Sequence, residues 1–169
     1  MKLCNTTKIS EKTIHRFCVN HEHSGVLKTH RDDLKKCLTK LANDKKYSIV
    51  IGSTLSQKEY HDSLLRSKIC VSPYGLGERI ALDQKCILAG SVLVKPDTDY
   101  VKTNPNLYSE EYYTKIKPDL SDVEEVIVNI MENYDMYLDK TKKAQRMFSE
   151  YSKETYIRMF CDKIHEITK

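Results

Sequence analysis

The stretch SPYGLGERIALDQKCILAG, residues 72–90, gathers residue types that can do chemistry together. Gly75 and Gly77 flank a leucine, Glu78 follows at once, and a helix-like run then stops at Gly90. The chain has only five glycines, so three in one short stretch need a local reason. A strand, a Gly-x-Gly turn and a helix start together make an anion site. The first helical turn has unpaired N–H groups and a partial positive charge, and glycines let a ligand approach the backbone. A phosphate or diphosphate suits such a site. A tight strand-to-helix turn with no ligand fits the same local pattern. Glu78 has two readings as well. It favours the helix dipole, or it accepts two hydroxyl hydrogen bonds from a ribose or hexose. Tyr74 lies inside the loop, where its ring can stack on a base.

Other residues invite weaker readings. His21-Glu22-His23 can present both imidazoles on one side of an extended segment and take a metal with Cys18 or His30. No Cys/His spacing signature supports that, and a polar loop explains the triplet as well. A histidine at this edge can instead touch a phosphate or act as a base, which makes His21 and His30 the catalytic candidates. The eleven tyrosines are scattered, and several fall at core-like helical spacing, so stacking on nucleic acid is not their reading. KTKKAQR (140–146), set among acids, reads as a solvated helix face, with docking or a membrane surface as the alternative.

The elements that must position these groups alternate. IHRFCV (14–19), YSIVIGS (47–53), KICVSP (68–73), SVLVKP (91–96) and YYTKIKP (112–118) read as strands. Between them, HRDDLKKCLTKLA (30–42) puts Leu34, Leu38 and Leu41 on one stripe with Cys37 beside it. SQKEYHDSLLRS (56–67) reads as a helix with Ser56 as N-cap and Glu59 completing a capping box. ERIALDQKCILA (78–89) has Ile80, Ala81, Ile87 and Leu88 at helical spacing, with Gly90 at C′. Asp119, Ser121 or Asp122 can cap a helix through VEEVIVNIMENY, and terminal helices fill 135–169. Residues 1–12 read as a flexible lead. The alternation predicts one α/β domain over 1–169, with a parallel sheet flanked by helices. Ligands of such sheets sit outside the carboxyl ends of the strands. NHEHSG, GSTLSQ, SPYGLGE and KPDTDY therefore share the functional edge.

Length and composition agree. The 169 residues, 40% hydrophobic and 31% charged, suit a globular domain with a good core. The net charge of +4 is mild and interspersed, compatible with an anionic ligand and no pointer to nucleic acid. No apolar run approaches the roughly 20 residues of a membrane span. The N-terminus shows no secretory leader, so a cytoplasmic location and six free cysteines are expected.

Residues 72–97 also carry a resemblance. SPYGLGE, then LDQKC, then LAGSVLVKPD is similar to a motif of the form S-P-[FY]-G-x-G-E, R-D-x-E-A, L-A-G-x-L-[LIV]-K-P-D. That motif belongs to the donor-binding, C-terminal half of GT-B glycosyltransferases, in the family 1/exostosin-like group. THRDDLKKCL resembles the His-Arg helix start after the group's first strand. YVKTNPNLY and IKPDLSDVEEVI resemble the segments that follow K-P-D, so the resemblance spans 14–165.

It implies a Rossmann-like domain, hexosyltransferase-like if active, whose substrate is a nucleotide diphosphate sugar and which needs no metal or other cofactor. It implies donor contacts from Ser72, Tyr74, Gly75, Gly77, Glu78, Arg79, Lys85, Lys95 and Thr103. Two departures stand out. Lys85 occupies the place of a family Glu that takes the ribose hydroxyls, and Leu82 that of a family Arg, whereas Asp83 is kept. A GT-B enzyme also has a second domain that binds the acceptor. The resemblance therefore implies a fragment, or a chain that works with a partner chain or as a homo-oligomer, as in two-chain GlcNAc transferases. The alternative is an inactive nucleotide- or protein-binding module of the same fold.

Overall fold

The computed structural model of the chain describes residues 25–44, 47–51, 55–75, 77, 81–150 and 153–168. In chain order they form α1 (Val26–Asn43), α2 (Gln57–Leu65), β1 (Ile69–Val71), α3 (Ala81–Leu88), β2 (Val92–Pro96), β3 (Thr114–Ile116), α4 (Val123–Glu132), α5 (Tyr134–Glu150) and α6 (Lys153–Ile167). The lead 1–12 and the expected strand 14–19 lie outside the described residues.

The three strands form one sheet in the order β1-β2-β3, all parallel. Cys70 faces Leu93 across the first pair and Lys95 faces Lys115 across the second. Side chains alternate between the two faces with period two. Ile69, Val71, Val92, Val94 and Ile116 pack with Leu34, Leu38 and Leu41 of α1 and with Val123, Ile127 and Ile130 of α4. Cys70 and Leu93 pack the opposite way, with Leu82, Cys86 and Ile87 of α3, Ala144 and Met147 of α5, and Tyr108 and Tyr113. Every residue of β1 and β2 is buried, as a sheet covered on both faces requires. The fold is thus mixed α/β, with a small parallel sheet between helical layers.

Local chemistry explains the boundaries. Ser56 caps α2, its hydroxyl accepting from Glu59 N while Glu59 accepts from Ser56 N, so the expected capping box is present. Gly90 ends α3 at φ 68°. Ser91 N donates to Cys86 O at 3.0 Å and Gly90 N to Ile87 O at 2.9 Å, the paired bonds of a Schellman motif. Asp122 occupies the N-cap position of α4, but its carboxylate is used one turn back, accepting from Lys117 N at 2.8 Å.

Three expectations need correction. Within the run 47–53, the described residues 47–51 form no ladder strand: Ile49 and Ile51 are half-buried flanks of the α1/α4 core. Helix α1 begins at Val26 rather than at residue 30, because the Gly25 turn (φ 69°) starts it a full turn earlier. The six cysteines are not all free. Cys70 of β1 and Cys86 of α3 are disulfide-bonded, their Cα atoms 6.1 Å apart, because both side chains point into the α3/α5 core. Among the described residues no helix is long and apolar enough to cross a membrane.

Candidate functional site

Three parts of the chain meet at the carboxyl ends of β1 and β2. They are the segment after β1, the second turn of α1, and the segment after β2. Tyr74 is their centre. Arg31 donates from Nε to the Tyr74 carbonyl at 3.1 Å. The His30 ring stacks on the Tyr74 ring, centroids 5.2 Å apart and planes inclined at 29°. The Lys95 ammonium lies over the same ring, 5.8 Å from its centroid. The Tyr74 hydroxyl donates to the Asp97 carbonyl at 2.8 Å. Burial first, then Tyr100, push that hydroxyl up to about 12, so it stays a neutral donor.

Beneath this lies a buried polar network. Asp83 on α3 accepts from the Ser72 hydroxyl and, at 2.6 Å, from the Tyr108 hydroxyl. Lys95 pairs with the same carboxylate at 3.4 Å, and both side chains are fully buried. Ser72 and Lys95 reach it because each lies two residues beyond an inward residue of its strand, Cys70 and Leu93. A charge so deep survives only when paired and hydrogen-bonded. The network therefore fixes the level of Lys95 at the sheet edge.

His30 is distinctive. Its Nε2 is buried and has no hydrogen-bond partner among the described residues. Burial, with Arg31 and Lys95 nearby, holds the imidazole below its ordinary value, against a smaller opposing pull from Asp33. Arg31, Lys95 and His30 thus set cationic or protonatable groups around one loop. Such a grouping can receive an anion of one or two phosphates.

Other sequence-predicted residues sort as follows. Gly75 N donates to Gly77 O at 3.2 Å, closing a tight turn. Gly77 has φ 103°, a conformation that side chains rarely adopt, and a Cβ there would meet nothing within 4 Å. Conformation, not crowding, is what calls for glycine. Ser72, Tyr74 and Lys95 come together as described. Lys85 is exposed, and its ammonium lies 5.3 Å from the centroid of Tyr60 on α2. Thr103 closes its own turn, donating to Pro105 O at 2.7 Å and accepting from Leu107 N at 2.9 Å. His21, Glu78 and Arg79 lie outside the described residues. Sequence reasoning missed Arg31 as a site residue. The available signal was a charged residue on the stripe of Leu34, Leu38 and Leu41, an unusual place unless something there needs it. It missed Tyr108 too, which no spacing links to Asp83.

Comparison of the chain with protein-family models and with curated proteins gives no match.

Proposed function

We propose that this chain is the Rossmann-like donor-binding domain of a GT-B-type glycosyltransferase, holding the diphosphate of a nucleotide sugar at the carboxyl edge of its sheet. The carrying observation is the convergence of His30, Arg31 and Lys95 on Tyr74, inside the SPYGLGE motif that first suggested the family. In this reading Arg31 and Lys95 offset the charge of the diphosphate as it departs, electrostatic help that requires no metal. The turn at Gly75–Gly77 brings backbone to the ligand. The acceptor and its activating base are supplied by a partner chain or a further domain.

Calorimetry against UDP, GDP and their sugar conjugates tests the reading. Binding at or below millimolar concentration is expected, and silence from all of them overturns it. The isolated chain should transfer little or no sugar, and product confirmed by mass spectrometry would contradict the need for a second domain.

One observation favours the second reading, a binding module without catalysis. Lys85 stands where the family carries a ribose acceptor, and its ammonium is engaged with Tyr60 on α2. Lys85→Glu separates the two. In a donor site that lost only its ribose acceptor, it should tighten nucleotide binding. In a module where α3 does not meet the ribose, it should leave affinity unchanged.

A further inference from the structure

Among the described residues, the buried Nε2 of His30 has no hydrogen-bond partner. An enclosed polar atom without a partner costs stability, so its persistence asks what completes it. The surroundings answer by charge. Arg31, on the same helix, holds the Tyr74 carbonyl. Lys95, from β2, lies over the Tyr74 ring on which His30 stacks. Asp33 is the acid on α1 that acts on the imidazole, and Asp83 is the carboxylate paired with Lys95. From the loop, Tyr74 contributes a neutral phenol bonded to Asp97 O. Without ligand, two cations and burial disfavour a third positive charge on His30. An anion among these groups reverses the balance. It supplies the missing acceptor and offsets the charges that keep the imidazole neutral.

We propose that His30 is an anion-binding residue that takes up a proton as the ligand enters, holding a phosphate oxygen as an imidazolium through Nε2. This rests on the donor-site reading above and adds the proton to it. His30 is then a ligand contact rather than a catalytic base, because a base at Nε2 would have to stay unprotonated beside the diphosphate. Binding is coupled to pH in a stated direction. The free protein holds His30 neutral below the ordinary histidine value, and the complex holds it charged above that value. Affinity therefore rises on acidification between the two, approaching tenfold per pH unit for one linked proton.

The test uses UDP-glucose and GDP-mannose, whose doubly esterified diphosphate has no group that titrates near neutrality. Calorimetry at pH 7 in buffers of different ionisation heat counts the protons taken up. The expected result is net uptake approaching one proton per ligand, with binding several-fold tighter at pH 6.5 than at pH 7.5. His30→Gln, which keeps a donor but cannot titrate, should remove both the uptake and the pH dependence. The His30 ring resonance in the wild-type protein gives an independent reading that needs no variant: its titration midpoint should rise by more than one pH unit on saturation. Binding without uptake, and without a shift of that resonance, overturns the role of His30 and leaves the donor-site reading in place. No binding of either compound or of the other UDP and GDP conjugates overturns both.

Discussion

The two faces of the sheet are built from different materials. On the α1/α4 face the buried contacts are aliphatic: Leu34, Leu38 and Leu41 against Val71, Val94, Ile127 and Ile130. On the α3/α5 face the sheet meets Tyr108, Tyr113 and a cysteine pair, and a fully buried Lys95–Asp83 ion pair with Ser72 and Tyr108 attached. The first arrangement stabilises through area removed from water, a non-directional effect. The second contributes little net stability, since desolvation of two charges offsets their attraction, but it dictates where each atom lies. The polar network is also the one that touches the candidate site, through Lys95 and the strand end at Ser72. Position there matters more than stability.

The contrast breaks first at Asp83. Asp83→Ala leaves the Lys95 ammonium buried without its carboxylate, and should cost about 3–5 kcal/mol in urea unfolding. Replacing both partners, as in Asp83→Leu with Lys95→Met, should fall near neutrality or even stabilise. That double variant should at the same time weaken nucleotide binding, since in the proposed function the buried Lys95 charge beneath the Tyr74 ring offsets the diphosphate. A double variant as unstable as the single one would mean that the pair contributes net stability, and the division between the faces would fail.

Leu38→Ala probes the other face. It removes a fully buried side chain from the α1 stripe and should cost about 2–5 kcal/mol, depending on how far α4 closes the gap. Nucleotide affinity measured well below the unfolding midpoint should remain unchanged, because Leu38 meets the aliphatic core two turns from His30. A large loss of affinity in the folded variant would show that the two faces are coupled through α1.

Tyr108→Phe is a finer cut on the polar face. It deletes one donor to Asp83 while keeping the ring, and should cost about 1.5–3 kcal/mol, as a hydrogen bond to a charged group does. The unfolding midpoint in urea reads it, with the slope unchanged.

Much of the fold was legible in the residues themselves. The Ser56–Glu59 capping box, the Gly90 helix stop and the stripe Leu34, Leu38, Leu41 are local, and local signals survive folding. The run 47–53 was misread because a short apolar segment fits both a strand and an extended flank of a core, and periodicity does not separate them. In the site, Ser72 and Lys95 were reachable from their places at strand ends beside a glycine turn. Arg31 left only a hint, its charge on the Leu34, Leu38 and Leu41 stripe, because the Tyr74 carbonyl to which it donates lies 43 residues away. The aim of Lys85 was not readable. It depends on how α3 sits beside Tyr60 of α2, a fact of packing that no heptad or motif encodes. The Cys70–Cys86 pair has the same character: a sequence separation of 16 becomes proximity only after β1 and α3 dock.

The smallest effect compares two ion pairs. Lys40 of α1 and Glu124 of α4 meet at 3.2 Å on the aliphatic face, but at its rim, with side chains 70% and 50% exposed. Lys95 and Asp83 meet at 3.4 Å with no exposure at all. The distances are nearly equal, so any difference in energetic role comes from solvent. Water and salt screen the rim pair, and two long side chains lose freedom to form it. Lys40→Ala and Glu124→Ala should each cost below about 1 kcal/mol, and the coupling from the double-mutant cycle should shrink toward zero in 1 M salt. The loss in Asp83→Ala should barely respond to the same salt, because the charge it strands is out of reach of ions. A coupling between Lys40 and Glu124 that persisted in high salt would mean that the α1–α4 contact is also held by a specific polar clamp. The aliphatic face would then be positioned by charge as well, and the contrast with the α3/α5 face would narrow to one of degree.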